Sequence, residues 1–559
     1  MQRWQRYVFG GFSLLTAGVA LAGGGAPVVY VGVGAGCQHA SLFAAVAAAP
    51  NNAQIRLASS AVTLGGPLVL SGRQLQIVGG YASCGAAEPS STSEVRSIAG
   101  GGPVLAIDDG GASFHIELVN LDITGGNNAA AGGGIQSVGT GTLVLDNSKV
   151  LDNQAQDGGG LSVVGDGVAL TTVELRGGSQ IGGAPGAGNV ATRHGGGLYC
   201  SQARVRLGDA HVLSNVAAGN GGGMALVGCE VLPLDEDGAT QFNGNRARDG
   251  GGIHASAGAT LLLSSTPTRK VTIAGNLANL GGVPQRGGGV YLEGAGTRLV
   301  GAGLWIRDNR AVLGGGGLFL TAGAIATLGR GTHSCMVGDD SCSRVDGNRA
   351  ANDAGSGGNG GAAQVLAGSQ LTLAHTRLVG NMAGNNALLR VNGTGTIAFL
   401  DNALIVGNQT IGRLLTVENS ATLDVDFTTL ADNSFNVGAI EAAAGTSVAL
   451  QRSILQVPSG LALTLGAGAV AAACLNTSAG ALGGDAHAPG FVDPAAGQYH
   501  LRADSQNLDR CTSDGNEPPV DIAGLRRNLD RAQVPDNIGP LDRGAYEDVD
   551  ELLRDGFES

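Results

Sequence analysis

Apolar and polar residues alternate in short runs from about residue 104 to residue 455. Runs such as Ala259–Ser265 (ATLLLSS), Thr297–Ile306 (TRLVGAGLWI), Ser369–Val379 (SQLTLAHTRLV) and Thr394–Val406 (TGTIAFLDNALIV) are strand-like and rich in aliphatic residues. A period near two marks β-strands with one buried face, and the intervening Gly, Asn, Asp and Ser mark turns. No stretch in this interval carries the 3.6-residue period of an amphipathic helix. The pattern predicts an all-β chain.

The strands are phased by a recurring asparagine. Asn153, Asn189, Asn215, Asn245, Asn276, Asn309, Asn348, Asn381, Asn408 and Asn433 follow one another at intervals of 25 to 39 residues, the spacing of solenoid repeats. An apolar residue usually stands three positions earlier, as in VLDN, FNGN, IAGN and LVGN. In the clearest copy, Phe242, Asn245, the triplet Gly250, Gly251, Gly252 and then Ile253 follow in order. Short strands at this period predict a right-handed parallel β-helix with about three strands and three turns per coil, each coil about 4.8 Å above the last. Asn at the turn is expected in the left-handed conformation, with its amide bonded to the Asn above and below. The glycines allow a sharp turn and close passage of backbones, and residues such as Ile253 or Leu198 restart the inward-facing strand.

The pair [F/I/L/V]-x-x-N and G-G-[A/G]-[I/L/V] resembles the repeat of chlamydial polymorphic outer-membrane proteins and related bacterial right-handed β-helix proteins. The resemblance covers residues 120–433. It implies the β-helix fold and says less about activity. The flanks extend it. Residues 30–58 resemble the leading segment of secreted β-helix proteins, with a short Ala-rich helix near Ser41–Ala49 that would cap the open end of the solenoid, and IVGGYASC (77–84) is similar to a GGY turn of such segments. Residues 488–510 and 521–547 resemble the closing coils of the same proteins, with SQNLDRC (505–511) where SPAIDAG is usual.

Composition narrows the class. Gly accounts for 99 of 559 residues without a Gly-X-Y period, and 43% hydrophobic content is too high for a disordered Gly-rich tract. Aromatics are only 4%, so small aliphatic side chains must fill a narrow interior. The net charge of −13, with no Lys/Arg cluster beyond pairs such as Arg269-Lys270 and Arg526-Arg527, disfavours a nucleic-acid partner. The first 22 residues pair Arg3 and Arg6 with an apolar run and Ala20-Leu21-Ala22, the pattern of a secretory leader cleaved after Ala22. Export lets the eight cysteines oxidise, and nearest-neighbour pairing predicts Cys37–Cys84, Cys200–Cys229, Cys335–Cys342 and Cys474–Cys511. No C-x2-C spacing suggests zinc.

The glycine triplets could also be a chemical device, and each alternative needs residues in set places. A phosphate loop requires G-x-x-x-x-G-K-[ST], whereas the two lysines, Lys149 and Lys270, follow no such glycines. A calcium roll needs Asp after its glycines, whereas Asp157 and Asp249 precede theirs. A polysaccharide lyase or glycoside hydrolase of the pectin-lyase-like class needs a convergent set of carboxylates. The candidates are Asp108-Asp109, Asp235-Glu236-Asp237 and Asp339-Asp340, none with the N-x-D, G-H-G and R-x-K companions. The histidines, among them His194, His211, His254 and His375, lack metal-binding spacing. Asn392, Asn408 and Asn476 head glycosylation sequons, relevant only in a host with that machinery.

The sequence therefore leads to one expectation and one alternative. The expectation is an exported, non-catalytic β-helix protein with an adhesin-like binding or structural role, secreted or held on the outer surface of a bacterium. It would be monomeric, with no cofactor or metal, no membrane span after leader cleavage, and glycans or surface and matrix components as partners. The alternative is a polysaccharide-cleaving enzyme. The organisation expected is a leader (1–22), an N-terminal cap with first coils (23–105), repeats (106–455), closing coils (456–545) and a tail (546–559).

Overall fold

The computed structural model describes residues 26–98, 100–167, 171–281, 285–331, 342–527 and 538–547. The leader over 1–22, Cys335, Asp339, Asp340 and the terminal LLRDGFES lie outside them. Within them the chain is a parallel β-helix. Four long sheets of 16, 15, 10 and 14 strands run along it, here called sheets 1 to 4 in the order that each coil visits them. Every strand in these sheets pairs in parallel with the equivalent strand one coil on.

The coil around Asn245 illustrates the build. Glu230–Pro233 lies in sheet 1, Gly238–Asn243 in sheet 2, Arg246–Ala247 in sheet 3 and Ile253–Ser256 in sheet 4. The next coil repeats the sequence with Thr260–Ser264, Arg269–Ala274, Leu277–Ala278 and Val290–Glu293. Alternate residues point inward and stack on their counterparts, so Val205, Val231, Leu261 and Leu299 form one continuous row. Phe242 and Ile253 are fully buried in this interior, each stabilising the coil by about 2 kcal/mol.

There are four strands per coil, one more than the alternation predicted. The extra strand is the short one after Asn, commonly two residues such as Arg246–Ala247. Its inward residue stands two positions after the Asn: Ala155, Ala191, Ala217, Ala247, Ala278, Ala311, Ala350 and Ala383 are all buried. Small side chains fill this corner, with Thr410 taking the place in the last strand of the sheet.

The helix α1 (Leu42–Ala48) stands where the sequence placed a cap. Ser41 accepts from the Ala44 amide at 3.3 Å as its N-cap, and Leu42, Ala45 and Val46 are buried against the first coils. Three of the expected disulfides are formed, Cys37–Cys84, Cys200–Cys229 and Cys474–Cys511. Cys342 is also disulfide-bonded, while Cys335 lies outside the described residues.

Beyond Asn476–Thr477 the chain leaves the solenoid path. It forms a short turn (Ser478–Gly483) and a two-stranded antiparallel pair, Phe491–Asp493 with Gln498–Leu501. It then folds back over the outer face of sheet 2, where Tyr499, Ile522, Ala523, Ala545 and Tyr546 pack on Leu404, Val406 and Ala431. No helix among the described residues is long and apolar enough to cross a membrane.

Candidate functional site

The repeat residues build two hydrogen-bonded ladders along one side of the solenoid, and the groups with chemical potential gather on the outer one. The inner ladder is made by the landmark asparagines. From Asn153 to Asn433, the side-chain amide of each donates to the side-chain oxygen of the next at 2.9–3.1 Å. The backbone N–H donates to the same oxygen, as from Asn245 to Asn276 at 2.9 Å. The second amide proton goes to a carbonyl of the preceding coil, Val212 in the case of Asn245, at 2.9 Å. Nearly all of this is buried, so the full satisfaction of each amide is what makes it tolerable. The left-handed residue is the one before the asparagine, not the asparagine itself: Asp152, Ser214, Gly244, Gly275, Asp308 and Gly347 carry the positive φ. The turn is thus completed before the Asn, which leaves its amide pointing along the axis.

The glycines have divided roles. Gly250 has φ +63°, whereas a Cβ on Gly251 would lie 2.6 Å from the Gly288 carbonyl oxygen and one on Gly252 2.6 Å from that of Gly289. The first makes the turn, and the other two admit the backbone of the next coil.

The residue just before the glycines makes a second, interrupted ladder. In four coils its side chain accepts from the backbone N–H of its counterpart one coil on, whereas Arg286 and Gly314 at the same position have no acceptor to offer. Asp157 does so from His194 at 3.1 Å, His194 Nδ1 from Asn220 at 3.2 Å, Asp249 from Arg286 at 3.1 Å and Asn359 from Asn386 at 3.2 Å. Around it lies a continuous polar cluster. Arg193 bonds Asp157, Arg248 bonds both Asp249 (3.0 Å) and Asn220 Oδ1 (2.9 Å), and Asn220 Nδ2 lies 3.2 Å from His254 Nε2. Because Arg248 holds the Asn220 oxygen, the Asn220 amide faces His254, whose Nε2 accepts and whose proton sits on Nδ1. His254 stacks on Tyr291 and Tyr291 on Phe319, each at 4.8 Å, with Arg286 over the Phe319 ring at 5.2 Å.

Burial sets the protonation of this corner. The His254 imidazole is pushed down to about 3 by burial, with His194 and Arg248 adding repulsion. His194 is lowered chiefly by burial. The Asp249 carboxyl is raised by burial against the opposing pull of Arg248 and Arg286, and Tyr291 is raised to about 12 by burial, with Glu293 and Asp249 adding to it. The imidazole is neutral and its accepting nitrogen occupied, so the cluster is a braced hydrogen-bond network. Its rim, Arg193, His194, Arg248 and Arg286, reaches solvent over four coils.

The other candidate groups are dispersed. Asp109 accepts from the Thr140 amide at 3.1 Å and Asp108 from the Ser71 hydroxyl. Glu236 accepts from the Gly177 amide at 2.9 Å and the Asp209 amide at 3.2 Å. These acids brace turns, and the two groups stand four coils apart, about 19 Å along the axis. His211 lies 3.5 Å from Asp209, and His375 contacts the Val520 carbonyl at 3.1 Å beneath the folded-back segment. Asn408 and Asn476, two of the sequon asparagines, are buried, and the Asn392 amide donates to Glu418 at 2.6 Å. Among the described residues no three His, Cys, Asp or Glu side chains converge on one point.

A second charged cluster, without any local signal in the sequence, lies under the folded-back segment. Arg527 is fully buried, bonds Glu547 at 2.9 Å and Asn402, and stacks on Phe427 with its Cζ 3.8 Å from the ring centre. Arg452 lies on the same ring at 4.6 Å and bonds Asp426 at 2.9 Å. It clamps the C-terminal segment to the solenoid.

No protein-family model matches this chain, and no curated protein is significantly similar to it.

Proposed function

We propose that the protein is an exported, non-catalytic β-helix with an adhesin-like binding role, displayed at or beyond a bacterial surface. The observation that carries this reading is how the acids are used. Asp108, Asp109 and Glu236 accept backbone or hydroxyl protons at turns, and their groups are separated by about 19 Å. These three carboxylates are held by the turns that they close, and the two groups do not converge on one cleft. The exposed rim of the glycine corner offers a different chemistry. Arg193, Arg248 and Arg286 rise from three of four successive coils on a braced base, giving fixed donors for the hydroxyl or acidic groups of a surface polymer. Oxidised cysteines suit a protein that works outside the cell.

The test is retention of the purified protein on immobilised glycans, bacterial cells and host matrix. Saturable retention that weakens in the triple variant Arg193→Ala/Arg248→Ala/Arg286→Ala is expected. Unsaturated products or new reducing ends from polygalacturonate or alginate would replace this reading with the enzymatic one.

A further inference from the structure

The two ends of the solenoid are finished differently. At the N-terminal end, Val28–Gly32 is the first strand of sheet 1, and its outer edge is filled by the chain itself. Gln38 N and His39 N donate to the Tyr30 carbonyl at 3.1 Å, Gly32 N donates to the His39 carbonyl at 3.0 Å, and Tyr30 N donates to Gln38 Oε1 at 2.9 Å. Helix α1 covers the interior beside it. At the other end sheet 1 terminates in Ala469–Ala473, with no strand beyond it among the described residues.

That last strand is bare. Ala469 N donates inward to the Thr446 carbonyl at 2.9 Å, and the Ala473 carbonyl accepts from Arg452 N at 3.0 Å. Strand alternation then directs the N–H and C=O of Val470 and Ala472 at the open edge. All five residues are exposed or half-exposed, including Ala472, whose side chain continues the inward row of Leu450. Proteins ordinarily blunt such an edge with Lys, Pro, a bulge or a covering element. Here the entire stretch from Ser453 to Gly484, which forms the last coil, contains no charged residue, although the chain as a whole is 14% charged.

We propose that this edge joins two copies of the chain, with Ala469–Ala473 pairing antiparallel to its own copy about a two-fold axis at Ala471. The register follows from the hydrogen-bond directions. Val470 of each copy would exchange both backbone bonds with Ala472 of the other, giving four bonds, and the two Ala471 residues would face each other as a non-hydrogen-bonded pair with Cα atoms about 4.5 Å apart. Small side chains and the absence of charge let the two ends approach without repulsion. The filled N-terminal edge denies the same strand a head-to-tail partner, so the assembly closes at two instead of growing into a filament. This goes beyond the monomer expected from the sequence and is independent of what the rim binds.

Sedimentation velocity of the exported chain across a concentration series tests the proposal. A reversible monomer–dimer equilibrium is expected. Ala472→Pro removes one open-edge donor per copy and leaves the ladder to the preceding coil intact, so it should weaken the dimer about thirtyfold. Should that variant misfold, Ala471→Cys gives a second route. The opposed Cα separation suits a disulfide, so mild oxidation should yield a covalent dimer, whereas Ser447→Cys, one coil inward, should not cross-link. A chain that stays monomeric at its highest soluble concentration, filaments, or a dimer indifferent to Ala472→Pro and not cross-linked by Ala471→Cys would each overturn the proposal.

Discussion

At the scale of single residues, the ladder asparagines leave little room for substitution. Asn245 accepts from both the backbone and side chain of Asn215 and donates to Val212 and Asn276. Asn245→Ala would leave several buried polar groups without partners, at about 1–3 kcal/mol each. Because solenoid coils depend mainly on their neighbours, faster hydrogen exchange should appear first at Asn215 and the coils beside it. Gly251→Ala tests the second role of the triplet. Its Cβ would meet the Gly288 carbonyl oxygen at 2.6 Å, so a loss of about 3 kcal/mol is expected from denaturant unfolding, larger than for Ala at an exposed loop glycine. His254 supplies a pH test. Its folded-state pKa, about 3, lies below the unfolded 6.5, so the unfolded chain binds the proton more readily between those values. The neutral imidazole's contribution is fully present above 6.5 and is lost as pH falls toward 3. His254→Phe keeps the ring stack with Tyr291 and should flatten the thermal-melting profile across that window.

At the scale of elements, what could be read from the sequence was what repeats with one residue type. The Asn column has one chemistry through ten successive coils and the Gly column through most of them, so their phase marked the β-helix, and the Ala-rich run after Ser41 marked the cap. The short third sheet was hidden because two residues carry no periodicity. Its only trace is the alanine two positions after eight of the ten landmark asparagines. The second ladder was hidden for another reason: Asp157, His194, Asp249 and Asn359 share a position and an accepting role but not a residue type. His194 and His254 come together because they occupy adjoining phases of the repeat, although 60 residues separate them. The clamp of Arg527 on Phe427 and Asn402 joins segments 125 residues apart and leaves no local pattern at all. Three of the cysteine pairs, by contrast, were legible from order alone, since the solenoid brings sequence neighbours together. Cys200–Cys229 ties adjacent coils inside the core, with both residues buried. Replacing both by Ala opens a loop of that length in the unfolded chain, and a loss of about 3–4 kcal/mol is expected, read from the denaturant midpoint.

At the scale of the whole molecule, the β-helix is a scaffold whose repeating residues are consumed by its own construction. The asparagines bond one another, the glycines admit the neighbouring backbone, and the acids close turns. What varies from coil to coil is the outer rim, and the functional reading rests there. One measurement separates binding from cleavage directly: the change in mass on a sensor coated with acidic polysaccharide, surface glycan or matrix when the protein flows over it. A saturable mass gain that returns to the starting baseline on washing, with the polymer intact, is the result expected of a non-catalytic binder. A fall below the starting baseline as polymer is released, or no gain on any coating, would contradict it.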